Sequence, residues 1–217
     1  MTRRLAIVED HGLIASTVAA AFRGRGIEVA VVEPAAVATL VAAIVDLAPD
    51  LAVVDLDLGD GVSALDVLPG LCANDVPGVV LTGVRDPVRH AQCVAAGALG
   101  VLTKDGSFET LASAVDRALD GEPLLTRHER EEHLALLRAH QHAEDLRLAP
   151  FRTLTVREAE VLGALMRGAS VEGIATTSVV AVSTVRSQVR AILRKLGVSS
   201  QLAAIARATE AGWRPDA

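Results

Sequence analysis

Short apolar runs alternate with helical patterns over the first 120 or so residues. The apolar runs are nearly continuous in Val, Leu, Ile and Ala, and they cover residues 5–8, 29–32, 51–54, 79–82 and 99–102. Such runs are typical of strands that are buried on both faces of a sheet. Helical periodicity follows each run, near residues 12–24, 35–47, 62–71, 87–96 and 107–120. The alternation predicts an α/β domain with a five-stranded parallel sheet and right-handed crossovers.

The pattern changes after residue 121. Gly121-Glu122-Pro123 is predicted to end the last helix of the α/β region. The charged, His-rich segment 128–147 then indicates a solvated linker helix, which Ala149-Pro150 is predicted to end. A narrow apolar stripe (Leu134, Leu137 and Leu148) leaves a dimer-forming helix as the alternative.

The last part of the chain has an all-helical pattern. Thr155 and Glu158 form a capping-box signature, and a turn at 179–181 separates a short helix from a longer, arginine-rich one at 182–196. Two helices across a tight turn favour a helix-turn-helix. We therefore predict three parts: an α/β domain at 1–121, a partly helical linker at 122–152, and a helical domain at 153–217.

The net charge of -6 is unevenly distributed. Residues 1–152 hold 22 acidic and 13 basic side chains, whereas residues 153–217 hold 5 acidic and 8 basic ones. An acidic first part and a basic last part favour two domains with different partners. The basic excess permits nucleic-acid binding without proving it.

The chain carries few signs of export, membrane insertion or a cysteine framework. No apolar run approaches the ~20 residues that span a bilayer, and the run at 5–8 is too short for a signal-peptide core. Cys72 and Cys93 are too few for a disulfide framework or a zinc site. We therefore expect a cytoplasmic protein with no membrane partner.

Chemically distinctive residues follow four of the predicted strands. Glu9-Asp10 follows the first strand, Asp55 the third, Thr82 ends the fourth, and Lys104 follows the fifth. In parallel sheets, ligand sites lie beyond the carboxyl ends of the strands. Lys104 is one of only two lysines in an arginine-rich chain, and a compact ammonium suits a phosphoryl oxygen. The set predicts a phosphoryl-transfer site.

Each of these residues has a distinct predicted role. Glu9, Asp10 and Asp55 are expected to hold Mg²⁺, with the backbone carbonyl of Asp57 completing the shell. Asp55 is the predicted nucleophile. Thr82 would donate its hydroxyl hydrogen, and Lys104 its ammonium hydrogens, to the transferred group.

Residues 5–120 resemble the receiver domain of two-component response regulators. The matching segments are Ile7-Val8-Glu9-Asp10-His11, Val53 to Gly61, Leu81-Thr82-Gly83 and Gly97 to Lys104. The resemblance implies a flavodoxin-like fold, and the expected strand order 2-1-3-4-5 comes from known receivers and not from the pattern of this chain. It also implies that a sensor histidine kinase phosphorylates Asp55 with Mg²⁺ bound. Val101 stands where receivers usually have Tyr or Phe, and this departure predicts altered coupling to output.

Residues 153–207 resemble the helix-turn-helix domain of the NarL and LuxR families. The match runs from Leu154 to Leu162, through Gly173-Ile174-Ala175 and Ser183 to Arg186, to Ile192-Leu193-Arg194-Lys195-Leu196-Gly197-Val198. By this resemblance and helix geometry, Arg186, Ser187 and Arg190 are expected to reach base edges of double-stranded DNA. Thr184, Arg194 and Lys195 are expected to contact phosphates. The last helix resembles the family's dimer contact, which implies a homodimer on an inverted repeat.

The helix-turn-helix also departs from the family pattern at three positions. Gln188 replaces a usual His, Ala181 a usual capping Ser, and Ser178 a usual Leu. The missing cap is expected to cost about 1 kcal/mol unless Ser183 or an exposed helix end compensates.

We therefore predict a phosphorylation-controlled, DNA-binding transcription regulator and not an enzyme. One alternative is a DNA-binding regulator whose atypical receiver acts independently of phosphorylation, a hypothesis that Val101 motivates. A less favoured alternative is an aspartyl-phosphate phosphohydrolase, in which Asp57 would be the general acid/base two residues after Asp55.

Overall fold

The computed structural model describes residues 3–215, and the chain divides into two compact units between Arg138 and Ala139. The first unit contains the strands β1 (Arg4–Val8), β2 (Glu28–Val32), β3 (Leu51–Asp55), β4 (Gly78–Thr82) and β5 (Val101–Thr103). The helices between and after them are α1 (Gly12–Arg23), α2 (Val37–Asp46), α3 (Ala64–Ala73), α4 (Pro87–Ala95) and α5 (Phe108–Leu119).

All five strands pair in parallel, in the order β2-β1-β3-β4-β5. Strands β3 and β4 are buried along their full length, as their continuous apolar sequences predict. One core cluster joins the sheet to α2 and α3 through Leu40, Ile44 and Leu68. Another joins it to α1 and α5 through Phe22 and Val115. The predicted doubly wound α/β fold is confirmed, and helices cover both faces of the sheet.

A long helix, α6 (Arg127–Arg152), follows the α/β region. The prediction that Ala149-Pro150 ends it is wrong, because the helix continues through Pro150 to Arg152. A proline in the last turn removes only one hydrogen bond of the helix. The next residue, Phe151, is buried and stacks on Trp213, which holds the final turn in helical form. Within residues 3–215, no helix combines the length and apolarity needed to cross a membrane.

The second unit packs the end of α6 against α7 (Val156–Met166), α8 (Val171–Thr177), α9 (Val182–Leu196) and α10 (Gln201–Glu210). The predicted capping box is confirmed, because the Thr155 hydroxyl accepts from the backbone N–H of Glu158 while the Glu158 carboxylate accepts from that of Thr155. Gly197, in the left-handed conformation, ends α9, whose bounds are those predicted from the sequence. The all-helical domain is therefore also confirmed.

The turn between α8 and α9 contains a strained residue. Val179 has a φ of 54°, a left-handed conformation that is unfavourable for a β-branched residue. Its side chain is 90% exposed, so burial offers no compensation for this strain.

We expect Val179→Gly to raise the free energy of unfolding of the second unit. Glycine removes a left-handed backbone penalty of roughly 1–2 kcal/mol. It also increases the entropy of the unfolded chain, which opposes this gain by about 0.5–1 kcal/mol. The net gain in stability is therefore about 1 kcal/mol or less. Urea unfolding followed by Trp213 fluorescence measures the change, because the chain has one Trp and no Tyr. Val179→Ala, which keeps a Cβ, should gain less. A lower midpoint for the glycine variant would contradict the strain argument.

Candidate functional site

Two buried carboxylates share one ammonium group at the carboxyl edge of the sheet. Glu9 follows β1 and Asp55 ends β3, and they are 5% and 6% exposed. The pairing of Val8 with Val54 brings these two strand ends side by side. Lys104, just after β5, places its Nζ 2.6 Å from Glu9 Oε2 and 2.7 Å from Asp55 Oδ2. The structure therefore brings together three of the residues that the sequence predicted for the site.

The negative charge of the Asp55 carboxylate is only partly compensated in this cluster. Burial raises the pKa of Asp55, and the hydrogen bond from Lys104 opposes that shift without cancelling it; the nearby Glu9 carboxylate raises it further. Burial alone would lower the pKa of Lys104, but its hydrogen bonds to Asp55 and Glu9 outweigh burial and raise it. One ammonium therefore serves two carboxylates, and a further cation would stabilise the cluster.

The oxygen atoms at this edge suit a hard divalent cation. Glu9, Asp10, His11 and Asp55 each offer a ligand atom within 4.8 Å of the others. Carboxylate oxygens are the ligands that Mg²⁺ prefers, and three carboxylates beside one lysine retain net negative charge. The residues present therefore fit the predicted ion.

His11 is a member of this cluster that the sequence analysis did not assign. Its Nδ1 lies 2.6 Å from Asp10 Oδ1 and 3.1 Å from Glu9 Oε1. The hydrogen bond with Asp10 is the main cause of a raised pKa for this imidazole. Its position directly after Glu9-Asp10 was the signal available in the sequence.

The Asp57 carboxylate is held away from the acidic cluster by an arginine. Arg89, on α4, donates from Nη2 to Asp57 Oδ1 at 2.7 Å and from Nη1 to Oδ2 at 3.1 Å. This fork-to-fork pair occupies both carboxylate oxygens. It is consistent with the predicted role of Asp57 through its backbone carbonyl, and nothing in the sequence marked Arg89 as the partner.

Thr82 lies at the end of β4, beside Asp55. Leu81 pairs with Asp55 across the two strands, and Thr82 is 1% exposed. Its Oγ1 accepts a hydrogen bond from the Val84 backbone N–H at 3.0 Å, so the hydroxyl hydrogen is available for donation. Val101, on the neighbouring β5, is partly buried and packs against the sheet core.

In the second unit, α9 carries the predicted DNA-contacting residues on its exposed side. Val185, Val189, Ile192 and Leu196 are buried, whereas the exposed residues include Thr184, Arg186, Ser187, Arg190 and Arg194. Arg186 donates to Glu172 on α8, with Nη2 3.1 Å from Oε1. Glu172 is not among the site residues predicted from the sequence, since its contact crosses the turn between two helices.

Lys195 does not lie with these residues. Its Nζ donates to Glu158 Oε2 at 2.6 Å and to the Thr153 carbonyl at 2.8 Å. Both contacts belong to the entry of α7, so Lys195 has an internal role in this structure, while its phosphate contact stays a prediction. A signal was available: Lys195 follows the buried Ile192 by three residues, which places it at the edge of the core-facing side.

Two of the departures from the family pattern leave hydrogen bonds unmade in the second unit. Ala181 is the exposed N-cap of α9 and makes no side-chain capping bond, so Ser183 does not replace the missing cap. Among residues 3–215, the Gln188 Oε1 is the one buried side-chain oxygen or nitrogen without a hydrogen-bond partner.

Comparisons with known proteins match both units. Residues 5–116 match the model of the response regulator receiver domain, and residues 152–208 match that of bacterial regulatory proteins of the luxR family. A nitrate/nitrite response regulator homolog of Haemophilus influenzae is 34% identical over 158 residues, which are 72% of each chain. The transcriptional activator DevR/DosR of Mycobacterium tuberculosis is 31% identical over 82% of this chain and 81% of its own. The RcsB–DNA complex structure covers 96% of this chain and 98% of its own, with 18% identity and a TM-score of 0.52.

We expect Lys195→Met to destabilise the second unit by about 2 kcal/mol, because it leaves a buried carboxylate without its cation. Burial would raise the pKa of Glu158, but hydrogen bonds from Lys195 and from the Thr155 N–H lower it below its ordinary value. The stabilisation is thus present above the ordinary carboxyl pKa and lost as pH falls through the lowered one. Trp213-detected urea unfolding at several pH values measures this difference.

The matched control for that experiment is the double variant Glu158→Gln with Lys195→Met. It leaves no unpaired charge, and glutamine also fits a capping box, so most of the stability should return. A Lys195→Met variant as stable as the wild type, but weaker on DNA, would instead support a phosphate contact.

Proposed function

The chain belongs to the response regulators that join a receiver domain to a LuxR-type DNA-binding domain, and we propose that Asp55 is its phosphoryl acceptor. The observation that carries the proposal is the Lys104 ammonium shared between the buried Glu9 and Asp55 carboxylates. A buried carboxylate with raised pKa, next to a cation at a strand end, is prepared for nucleophilic attack on phosphorus.

The proposed reaction transfers a phosphoryl group from a histidine of a sensor kinase. An Asp55 carboxylate oxygen forms the new P–O bond while the P–N bond breaks, and the imidazole nitrogen leaves with the electron pair. Lys104 moves from its carboxylate partner to a phosphoryl oxygen, and Thr82 donates its hydroxyl to another. Mg²⁺ bound by Glu9, Asp10, Asp55 and the Asp57 carbonyl would supply charge neutralisation.

The second half of the proposal concerns DNA. Arg186, Ser187 and Arg190 reach base edges, and Thr184 and Arg194 contact phosphates. Dimerisation through α10, on which Leu202 is 76% exposed, would place two copies on an inverted repeat. We further propose a cytoplasmic location and the three-part division at residues 1–121, 122–152 and 153–217.

A specific observation favours a second candidate, regulation that does not depend on phosphorylation. Val101 is aliphatic and packed against the core, so it cannot make the inward swing of the aromatic residue usual in receivers. By contrast, the phosphohydrolase alternative loses support. Asp57, its required general acid/base, has both carboxylate oxygens paired with Arg89.

We expect the wild-type chain to gain one phosphoryl group when it is incubated with Mg²⁺ and acetyl phosphate, and Asp55→Asn to gain none. Asparagine keeps the size of the side chain but lacks the nucleophilic oxygen anion. Intact-protein mass spectrometry measures the gain. Asp60→Asn is the matched control, since it removes a carboxylate from the neighbouring exposed loop and should leave the gain unchanged.

Other results of that experiment, and two further measurements on the same protein, would bear on the alternatives. A gain in mass, with dimer affinity equal in the presence and absence of a phosphoryl analogue, would support the phosphorylation-independent regulator. Repeated turnover of a generic phosphomonoester would support the phosphohydrolase. Equal gain by the wild type and Asp55→Asn would refute Asp55 as the acceptor.

On DNA, we expect Arg186→Ala and Arg194→Ala to act differently. Arg186→Ala, which loses a base-edge contact, should cost about 1–3 kcal/mol of binding free energy on a duplex selected from a random pool. It should also relax the sequence preference of the protein. Arg194→Ala, which loses a phosphate contact, should weaken binding to all duplexes alike and reduce the slope of the salt dependence by about one. Fluorescence anisotropy titrations on selected and scrambled duplexes measure both effects. The same loss on both duplexes for Arg186→Ala would contradict its base-reading role.

A further inference from the structure

The pair formed by Glu172 and Arg186 lies on a concave surface of the second unit. Residues of α8, α9 and the start of α10 line this surface, which encloses about 820 Å³. Glu172 is its one carboxylate and Arg186 and Arg190 its two cations, while the remaining lining residues are uncharged. A single acidic side chain therefore stands among the residues proposed to meet a polyanion.

An unneeded carboxylate at such a place would weaken DNA binding, because it repels the phosphates that dominate affinity. Glu172 is, however, bound to the Arg186 guanidinium, whose Nη2 lies 3.1 Å from the Glu172 Oε1. Both side chains are 62% exposed, so the pair adds little to folding stability. The pair matters instead for which group of the DNA Arg186 can contact.

An arginine near DNA has two competing partners. It can contact a phosphate, which carries no sequence information, or it can bind guanine O6 and N7 through two N–H groups. The contact with Glu172 limits the rotation of the guanidinium and sets a negative charge where a phosphate would approach it. The other N–H donors of Arg186 stay available for a base edge.

We propose that Glu172 is a specificity-determining residue, which positions Arg186 for base readout and disfavours its contact with the DNA backbone. The inference rests on the proposed DNA-binding function of α9. It assigns to an acidic residue of α8 a role in recognition that α9 alone does not explain.

The test compares full-length wild type with Glu172→Gln, which removes the charge and keeps the shape of the side chain. Binding is measured by fluorescence anisotropy on a duplex selected by the wild type and on a scrambled duplex of the same composition, over a range of salt. Affinity for scrambled DNA should rise roughly two- to fivefold, with a salt slope steeper by about one. The ratio of the two affinities should fall about tenfold, within what one bidentate pair contributes.

Glu160→Gln is the matched control. Glu160 also pairs with an arginine, Arg157, at 2.5 Å and is also exposed in the second unit, but it does not line the concave surface. This variant changes the net charge equally and should leave the affinity ratio unchanged.

The outcomes separate the inference from the function on which it rests. Equal gains of Glu172→Gln on both duplexes would show a general charge effect and overturn the positioning role. An unchanged ratio with no gain on either duplex would overturn it as well. A wild type that binds no duplex would refute the proposed DNA-binding function itself, and the inference with it.

Discussion

The sharing of one ammonium between two buried carboxylates is the interaction on which the candidate site depends. Glu9 and Asp55 lie at the ends of adjacent strands, and two carboxylates buried side by side are unfavourable without a cation. Lys104 supplies that cation from just after β5, across the intervening β4. Three strand ends are thus held in one geometry by a single shared charge. The arrangement links the order of the sheet directly to the chemistry at its edge.

The second unit uses its lysine in a similar way. The chain has only two lysines, and each places its ammonium against a buried glutamate: Lys104 against Glu9, and Lys195 against Glu158. These two side chains are 18% and 26% exposed, whereas the arginines that form ion pairs are 31–93% exposed. A compact ammonium on a flexible stem fits a narrow buried site, while the planar guanidinium is placed at the surface.

The sheet and its edge could be predicted because the signals are local. Buried parallel strands have continuous apolar sequences, and the topological rule places the carboxyl ends together, so Glu9, Asp55 and Lys104 could be assigned to one site. Arg89, the partner of Asp57, and Glu172, the partner of Arg186, could not be predicted from the sequence. Each of these contacts joins residues that are distant in the chain and depends on side-chain rotamers. The helical conformation of Pro150 escapes local reasoning for a related cause. The burial of Phe151 is a tertiary effect that outweighs the local preference of proline to end a helix.

In the second unit, the departures from the family pattern lie in the helix-turn-helix and not in the contacts that stabilise its scaffold. The capping box and the Lys195–Glu158 pair stabilise the scaffold. By contrast, the turn carries a strained valine, α9 begins without a side-chain cap, and Gln188 leaves a buried oxygen without a partner. Such local costs can persist where the surrounding core determines the backbone, as it does around Val185 and Ile192. The scaffold therefore fixes where the exposed face of α9, the proposed DNA-reading surface, lies, and the departures fall around that face.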